Sequence, residues 1–142
     1  MPRDYIPVTL KQLVFDRGNG CCEYCRSQAK FAIESLVIEH IIPISRGGET
    51  IAENLALACQ GCNNYKYTKI KGLDPTDAQA APLYNPRTMV WSEHFAWSED
   101  TTLIIGLTPI GRATVNTLRL NREGVVNLRQ ALRATGQHPP GE

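Results

Sequence analysis

The chain has 142 residues, 42% hydrophobic and 20% charged, with a formal net charge of +1. This is ordinary usage for one globular domain with a modest core, and it supplies no global basic field that would announce a nucleic-acid partner. No apolar run approaches the roughly 20 residues that span a bilayer, and the opening MPRDYIPVTL lacks the apolar core of a signal peptide, so the expectation is a cytoplasmic protein without a membrane partner.

Residues 9–17 (TLKQLVFDR) predict a short helix capped by Thr9, with Leu10, Leu13 and Val14 forming the apolar stripe. Gly18-Asn19-Gly20 ends it, and a tight CCEYC turn follows. Residues 36–42 (LVIEHII) are β-branched and apolar apart from Glu39 and His40, which predicts a strand. Pro43 and Gly47-Gly48 open a loop. Residues 54–58 (NLALA) read either as a returning strand or, by propensity, as helix. A helix is expected from Cys62 to about Lys71, closed by Gly72 and Pro75, and residues 73–87 read as a connecting loop. Residues 88–97 and 102–105 are strand-like. Thr108-Pro109 starts a helix in the favoured order, cap then proline. Asn121 is expected to cap a second helix reaching about Ala134, and GQHPPGE reads as a frayed tail with a solvated His138.

Charge is uneven along the chain. Residues 108–134 hold five arginines (Arg112, Arg119, Arg122, Arg129, Arg133) against Glu123 alone, whereas residues 76–107 hold one arginine against four acids. Scattered arginines on helices most simply mark a solvated face.

Five cysteines in a reducing compartment point to metal ligands or free thiols rather than a disulfide framework. Cys22-x-x-Cys25 and Cys59-x-x-Cys62 are two knuckles that can supply the four thiolates of a tetrahedral structural zinc site. Cys21 could replace Cys22, although the two-residue spacing favours Cys22. The knuckles are 33 residues apart, against about 15–20 in a plain zinc ribbon, so a larger insert is held between them. The metal would fix both ends of the insert and add folding free energy that a small core lacks.

The insert carries IEHIIPISRGG. Asn54 follows His40 by 14 positions and Asn63 by 23, directly behind the last cysteine. From about Gly20 to Lys69 the order C-x-Y-C, E-H-I-x-P-x-S-x-G-G, E-N-L and C-x-x-C-N-x-x-K resembles the HNH endonuclease family. The segments LYNPR, EHFAW and GLTPIGRATV beyond Pro82 look like an extension found on some bacterial and cyanobacterial HNH proteins, which suggests a bacterial source. The expected fold is α+β: a ββα-metal hairpin–helix core stapled by a four-cysteine zinc site, with a C-terminal strand and two-helix extension. The core would occupy 1–75 and the extension 76–142.

The resemblance implies a metal-dependent endonuclease that hydrolyses phosphodiester bonds in DNA, with RNA as the alternative substrate. It implies His40 as general base, since an imidazole near pKa 6.5 can take a proton at neutral pH. It implies Glu39 and Asn63 as ligands of one divalent metal, magnesium or manganese, and Asn54 as the residue that ties down the hairpin loop. Lys66 and Lys69, at i+3 and i+6 from Asn63, could contact phosphates. Glu39 is the least regular element, because relatives more often carry aspartate there and strand neighbours point to opposite faces. His94 follows a glutamate but has no obvious partners and reads as structural. The competing interpretation is a non-catalytic zinc module that binds nucleic acid or protein. The extension would either pack on the core, or form a dimer, or dock DNA through its five arginines.

Overall fold

The computed structural model describes residues 5–141; residues 1–4, where the segment tested for a leader begins, and residue 142 lie outside the described residues. Helix α1 (Val8–Arg17) leads into the first knuckle. Strands β1 (Val37–His40) and β2 (Leu55–Ala58) pair antiparallel, His40 opposite Leu55 and Val37 opposite Ala58. Helix α2 (Gln60–Lys66) follows β2 directly. Two further hairpins, β3 (Lys71–Asp74) with β4 (Gln79–Pro82) and β5 (Phe95–Trp97) with β6 (Ile104–Gly106), make three separate two-stranded sheets among the described residues. A single helical turn α3 (Trp91–His94) precedes β5, and α4 (Pro109–Leu118) and α5 (Glu123–Ala134) close the chain. The fold is α+β, with a hairpin and helix of ββα order at its centre. No helix among the described residues is long and apolar enough to cross a membrane.

Burial explains why Leu55–Ala58, within the expected 54–58 stretch, became a strand while Asn54 ends a 3-10 turn before it. Leu55, Ala56, Leu57 and Ala58 are all buried, so both faces of β2 meet apolar partners and helix propensity is overridden. One face packs on Val14 and Leu10 of α1 and on Ile6 just before it. The other joins the main core of Tyr24, Ile41, Leu83, Tyr84, Trp91, Phe95, Ile104, Leu118 and Leu120. That core draws on both sides of residue 75, and residue 75 itself falls in the β3–β4 turn. Helix α4 lies against β3, β4, β6 and α2, so the C-terminal segment packs on the N-terminal part of the chain.

Several local expectations are corrected. Thr9 is not the cap of α1: Pro7 occupies that position and no side chain caps it. Helix α2 ends at Lys66, five residues early, because Tyr67 leaves helical geometry and the chain turns into β3. The expected loop over 73–87 contains most of the β3–β4 hairpin, whose Asp74 is pinned by Arg112 of α4. The strand expected over 88–97 is a turn of helix followed by a short strand, placing Trp91 in the core. Thr108 caps α4 as expected, its hydroxyl accepting from the Gly111 N–H at 3.0 Å. Asn121 does not cap α5. Its amide pairs with the Ile104 backbone instead, at 2.7 and 2.9 Å, and Arg122 holds the cap position. The tail is anchored up to His138, which is only 8% exposed, stacks edge-on against Trp97 and binds the Thr101 carbonyl at 2.7 Å.

Candidate active site and metal centre

The two knuckles converge. Cys22, Cys25, Cys59 and Cys62 bring their sulfurs within 4.8 Å of one another, and Cys25 Sγ and Cys59 Sγ are 3.5 Å apart. Tetrahedral zinc with bonds of about 2.3 Å needs sulfurs about 3.8 Å apart, so the donor set fits a structural zinc site. Cys21 stays outside the cluster, its thiol 3.5 Å from the Asn19 carbonyl. The thiols polarise one another. Hydrogen bonding from Cys22 pulls Cys59 down to about 7, and the same neighbour holds Cys25 well below an ordinary thiol, whereas burial pushes Cys22 up. Cys62 is pushed up as well, so two thiols of the set are lowered and two raised.

Two arginines of the C-terminal half serve this cluster, which the sequence reading missed. Arg122 reaches Cys59 Sγ at 3.2 Å and Cys62 Sγ at 3.6 Å, lying across Gly61, where a Cβ would stand 2.5 Å from the guanidinium. Arg129 is 4% exposed and donates to the carbonyls of Cys25, Thr102 and Leu120 and to Asn121 Oδ1. Arg112 is bound to Asp74 at 2.9 Å. The idea of five arginines docking DNA is therefore corrected: three are committed internally, while Arg119 and Arg133 are exposed. The signal available in the sequence was the run of arginines itself, with nothing to say which face they occupy.

The hairpin loop from Ile41 to Asn54 is knotted by the Asn54 side chain. Asn54 Oδ1 accepts from the Ile42 N–H at 2.8 Å, and Nδ2 donates to the carbonyls of Ile42 and Glu49 at 3.0 and 2.9 Å. Gly48 passes so close to this knot that a Cβ there would lie 1.7 Å from the Ile42 carbonyl oxygen. The knot positions the end of β1, where His40 is half-buried and one ring nitrogen, Nε2, meets Thr50 Oγ1 at 2.8 Å. Thr50 was not singled out in the sequence; its place two residues past Gly47-Gly48, inside the loop that Asn54 closes, was the available hint.

Strand alternation puts Glu39 on the other face from His40. Glu39 is 4% exposed, accepts from the Tyr24 hydroxyl through Oε1 and pairs with Lys66 Nζ at 3.1 Å through Oε2. Burial pushes its carboxyl up, while the Lys66 ammonium and the Tyr24 hydroxyl pull it back. Lys66 is 1% exposed and also donates to the Ile41 carbonyl at 2.8 Å. The expectation of Lys66 at a phosphate is corrected: its charge is spent on Glu39 inside the domain. Lys69 is exposed but lies beyond the end of α2, its ammonium 3.1 Å from the Tyr65 carbonyl. His94 hydrogen-bonds Thr108 at 2.7 Å, away from these groups.

A shallow cleft of about 410 Å³ joins the two faces. His40, Asn63, Ser45, Tyr67 and Thr68 line it, and Glu39 contributes to its lining despite being almost wholly buried. The arrangement offers a held imidazole, an amide oxygen and a carboxylate around one open concavity, set between a buried thiol cluster and a tied loop. Residues 22–69 match the family model described as HNH endonuclease, and these bounds contain all four thiols, the hairpin and α2. No curated protein matches the chain at a meaningful level. Over this segment the chain is thus similar to the HNH endonuclease family.

Proposed function

We propose that the domain hydrolyses phosphodiester bonds in DNA, with His40 as general base, and that the cysteine cluster holds zinc. The observation that carries this reading is the placement of His40. It sits at the rim of an open cleft with Asn63, on a strand end fixed by the Asn54 knot and with its ring held by Thr50. A base fixed in this way typically contributes about 10²–10⁴-fold to rate.

Glu39 and Asn63 would hold the divalent metal, magnesium or manganese. Each carboxylate oxygen of Glu39 accepts one protein hydrogen bond and retains capacity for another ligand, and Asn63 lies in the same cleft, so a hard-oxygen pair completed by water and phosphate fits this donor set. When bound, such a metal supplies charge neutralisation at the phosphate and at the leaving oxygen. Lys66 already offsets the Glu39 charge, so the protein alone should bind the metal weakly, with substrate completing the site. Lys69, exposed beyond α2, remains available to a flanking phosphate. Asn54 acts as a positioning residue for His40.

Zinc-loaded protein incubated with plasmid and oligonucleotide DNA should cut or nick it in magnesium or manganese. His40→Ala should lower that rate by about 100-fold or more, with zinc content and melting temperature unchanged. Undiminished cleavage by the variant removes His40 from the mechanism. Binding without cleavage by the wild type, across metals and substrates, instead supports a non-catalytic zinc module.

A further inference from the structure

The turn that ends α2 contains a residue in a conformation its side chain disfavours. Lys66 to Lys69 form a tight turn closed by the Lys69 N–H on the Lys66 carbonyl at 2.9 Å. Tyr67, at its first central position, has φ 49 and ψ −121. This is the geometry of a type II′ turn, in which that position normally belongs to glycine. A glycine would satisfy the turn without strain, and tyrosine does so only because the flanks are fixed: Lys66 by Glu39 and Ile41, and β3 by its pairing with β4.

The strain delivers an aromatic ring to a particular place. Tyr67 is 74% exposed, much more than any buried role requires, and it lines the same cleft as His40 and Asn63. Around it the surface is basic. Arg46, exposed on the hairpin loop, donates to the Thr68 carbonyl at 2.6 Å, and Lys69 and Lys71 are exposed on the following residues. An exposed ring beside cations, at the lip of the cleft where the nuclease reading puts the phosphate, is the combination that holds single-stranded nucleic acid: cations follow the backbone and the aromatic face takes a base. Strained backbone that persists at a site is a mark of such use.

We propose that Tyr67 is a stacking platform for an unpaired base next to the scissile phosphate. The preferred substrate is therefore a strand with an unstacked nucleotide, rather than an intact duplex. This rests on the nuclease reading for the location of the scissile phosphate and goes beyond it in naming the substrate class.

The test uses the full-length zinc-loaded protein in the His40→Ala background with calcium, so that binding is read without cleavage. The probes are an oligonucleotide carrying 2-aminopurine and the matching intact duplex. With Tyr67 present, the single strand should bind more tightly than the duplex and its fluorescence should be quenched. Tyr67→Phe should keep both properties. Tyr67→Ala should weaken single-strand binding by about 5–150-fold, the range of about 1–3 kcal/mol per stacked base at 1.36 kcal/mol per tenfold, and abolish the quenching. Tyr67→Gly relieves the backbone and should melt no lower than the parent while showing the same binding loss. That combination separates a ligand contact from a structural one. The proposal is overturned if Tyr67→Ala and Tyr67→Gly bind the single strand within twofold of the parent, or if the parent prefers the duplex or binds neither probe. Plasmid cleavage by protein with His40 intact is scored separately, so the nuclease reading can survive that failure or fall by itself.

Discussion

The two ends of helix α2 support two charged clusters that are compensated in opposite ways. At its N-terminal end Cys59 and Cys62 complete the thiol cluster, and compensation comes from elsewhere in the chain, through Arg122 on the sulfurs and Arg129 on the Cys25 carbonyl. At its C-terminal end Lys66 projects from α2 itself and neutralises Glu39 within the fold. The first cluster is closed and its metal would be structural; the second opens on a cleft where chemistry can occur. Seven residues of helix therefore couple the thiol cluster to the proposed reaction site, and damage at the two ends should look different.

The largest effect is expected at the staple. Structural zinc in small peptides is worth about 10–16 kcal/mol, comparable to the whole stability of a domain at about 5–15 kcal/mol. Chelation, or Cys25→Ser, should unfold the domain, read as loss of the cooperative thermal transition together with loss of bound zinc. An unchanged transition after complete zinc removal would mean that the apolar core suffices alone.

At the other end the expected loss is smaller and reversible by a second change. Lys66→Met leaves the Glu39 carboxylate buried without its cation, at a cost of about 3–5 kcal/mol. At about 2–4 °C per kcal/mol this is a fall of roughly 6–20 °C in melting temperature. Adding Glu39→Gln should restore most of it, since the buried charge is gone. Stability of Lys66→Met within about 1 kcal/mol of the parent would return Lys66 to the surface role expected from sequence.

Arg122 tests the compensation from outside. Arg122→Ala removes the donor to two thiolates and should weaken zinc binding by about 10–100-fold, as loss of outer partners of metal sites generally does. Competition with a chromophoric chelator measures it directly. Arg122→Lys should recover charge but only part of the affinity, because one ammonium cannot reproduce a planar fork reaching both sulfurs. Equal affinity in all three proteins would reduce Arg122 to a packing residue.

The same contrast explains what could be read in advance. The thiol cluster was legible because ligand spacing is local: two residues between cysteines fix a knuckle whatever surrounds it. The hairpin and the Asn54 knot were legible through the family pattern, which is confined to the segment between and just beyond the knuckles. What failed depended on contacts between distant residues. The burial of Lys66 follows from Glu39 facing inward, 27 positions earlier, and no periodicity within α2 reveals it. The β3–β4 hairpin formed in a stretch rich in Asp, Ala and Pro because α4 covers it and Arg112 fastens Asp74. His138 looked solvated in a Pro-Gly tail, yet Trp97 and the Thr101 carbonyl hold it.

The smallest predicted effect concerns that fastening between β3 and α4. Hydrogen bonds from Arg112 hold the buried Asp74 carboxyl down at about 2, below its ordinary 3.8. A carboxyl depressed in the folded state stabilises the fold above its unfolded pKa, and that stabilisation is lost as pH falls through the folded value. Arg112 stays charged throughout, so the loss between about pH 5 and pH 2 belongs to Asp74. Asp100 is held at about 2 as well, but by Thr102 and Ser98 within its own turn. Thermal melts across this window should therefore flatten in Asp74→Asn, with the β3–α4 contact weakened at neutral pH too, whereas Asp100→Asn should alter only the β5–β6 turn. An Asp74→Asn profile parallel to the parent's would show that the contact between β3 and α4 rests on packing, with the ion pair contributing nothing measurable.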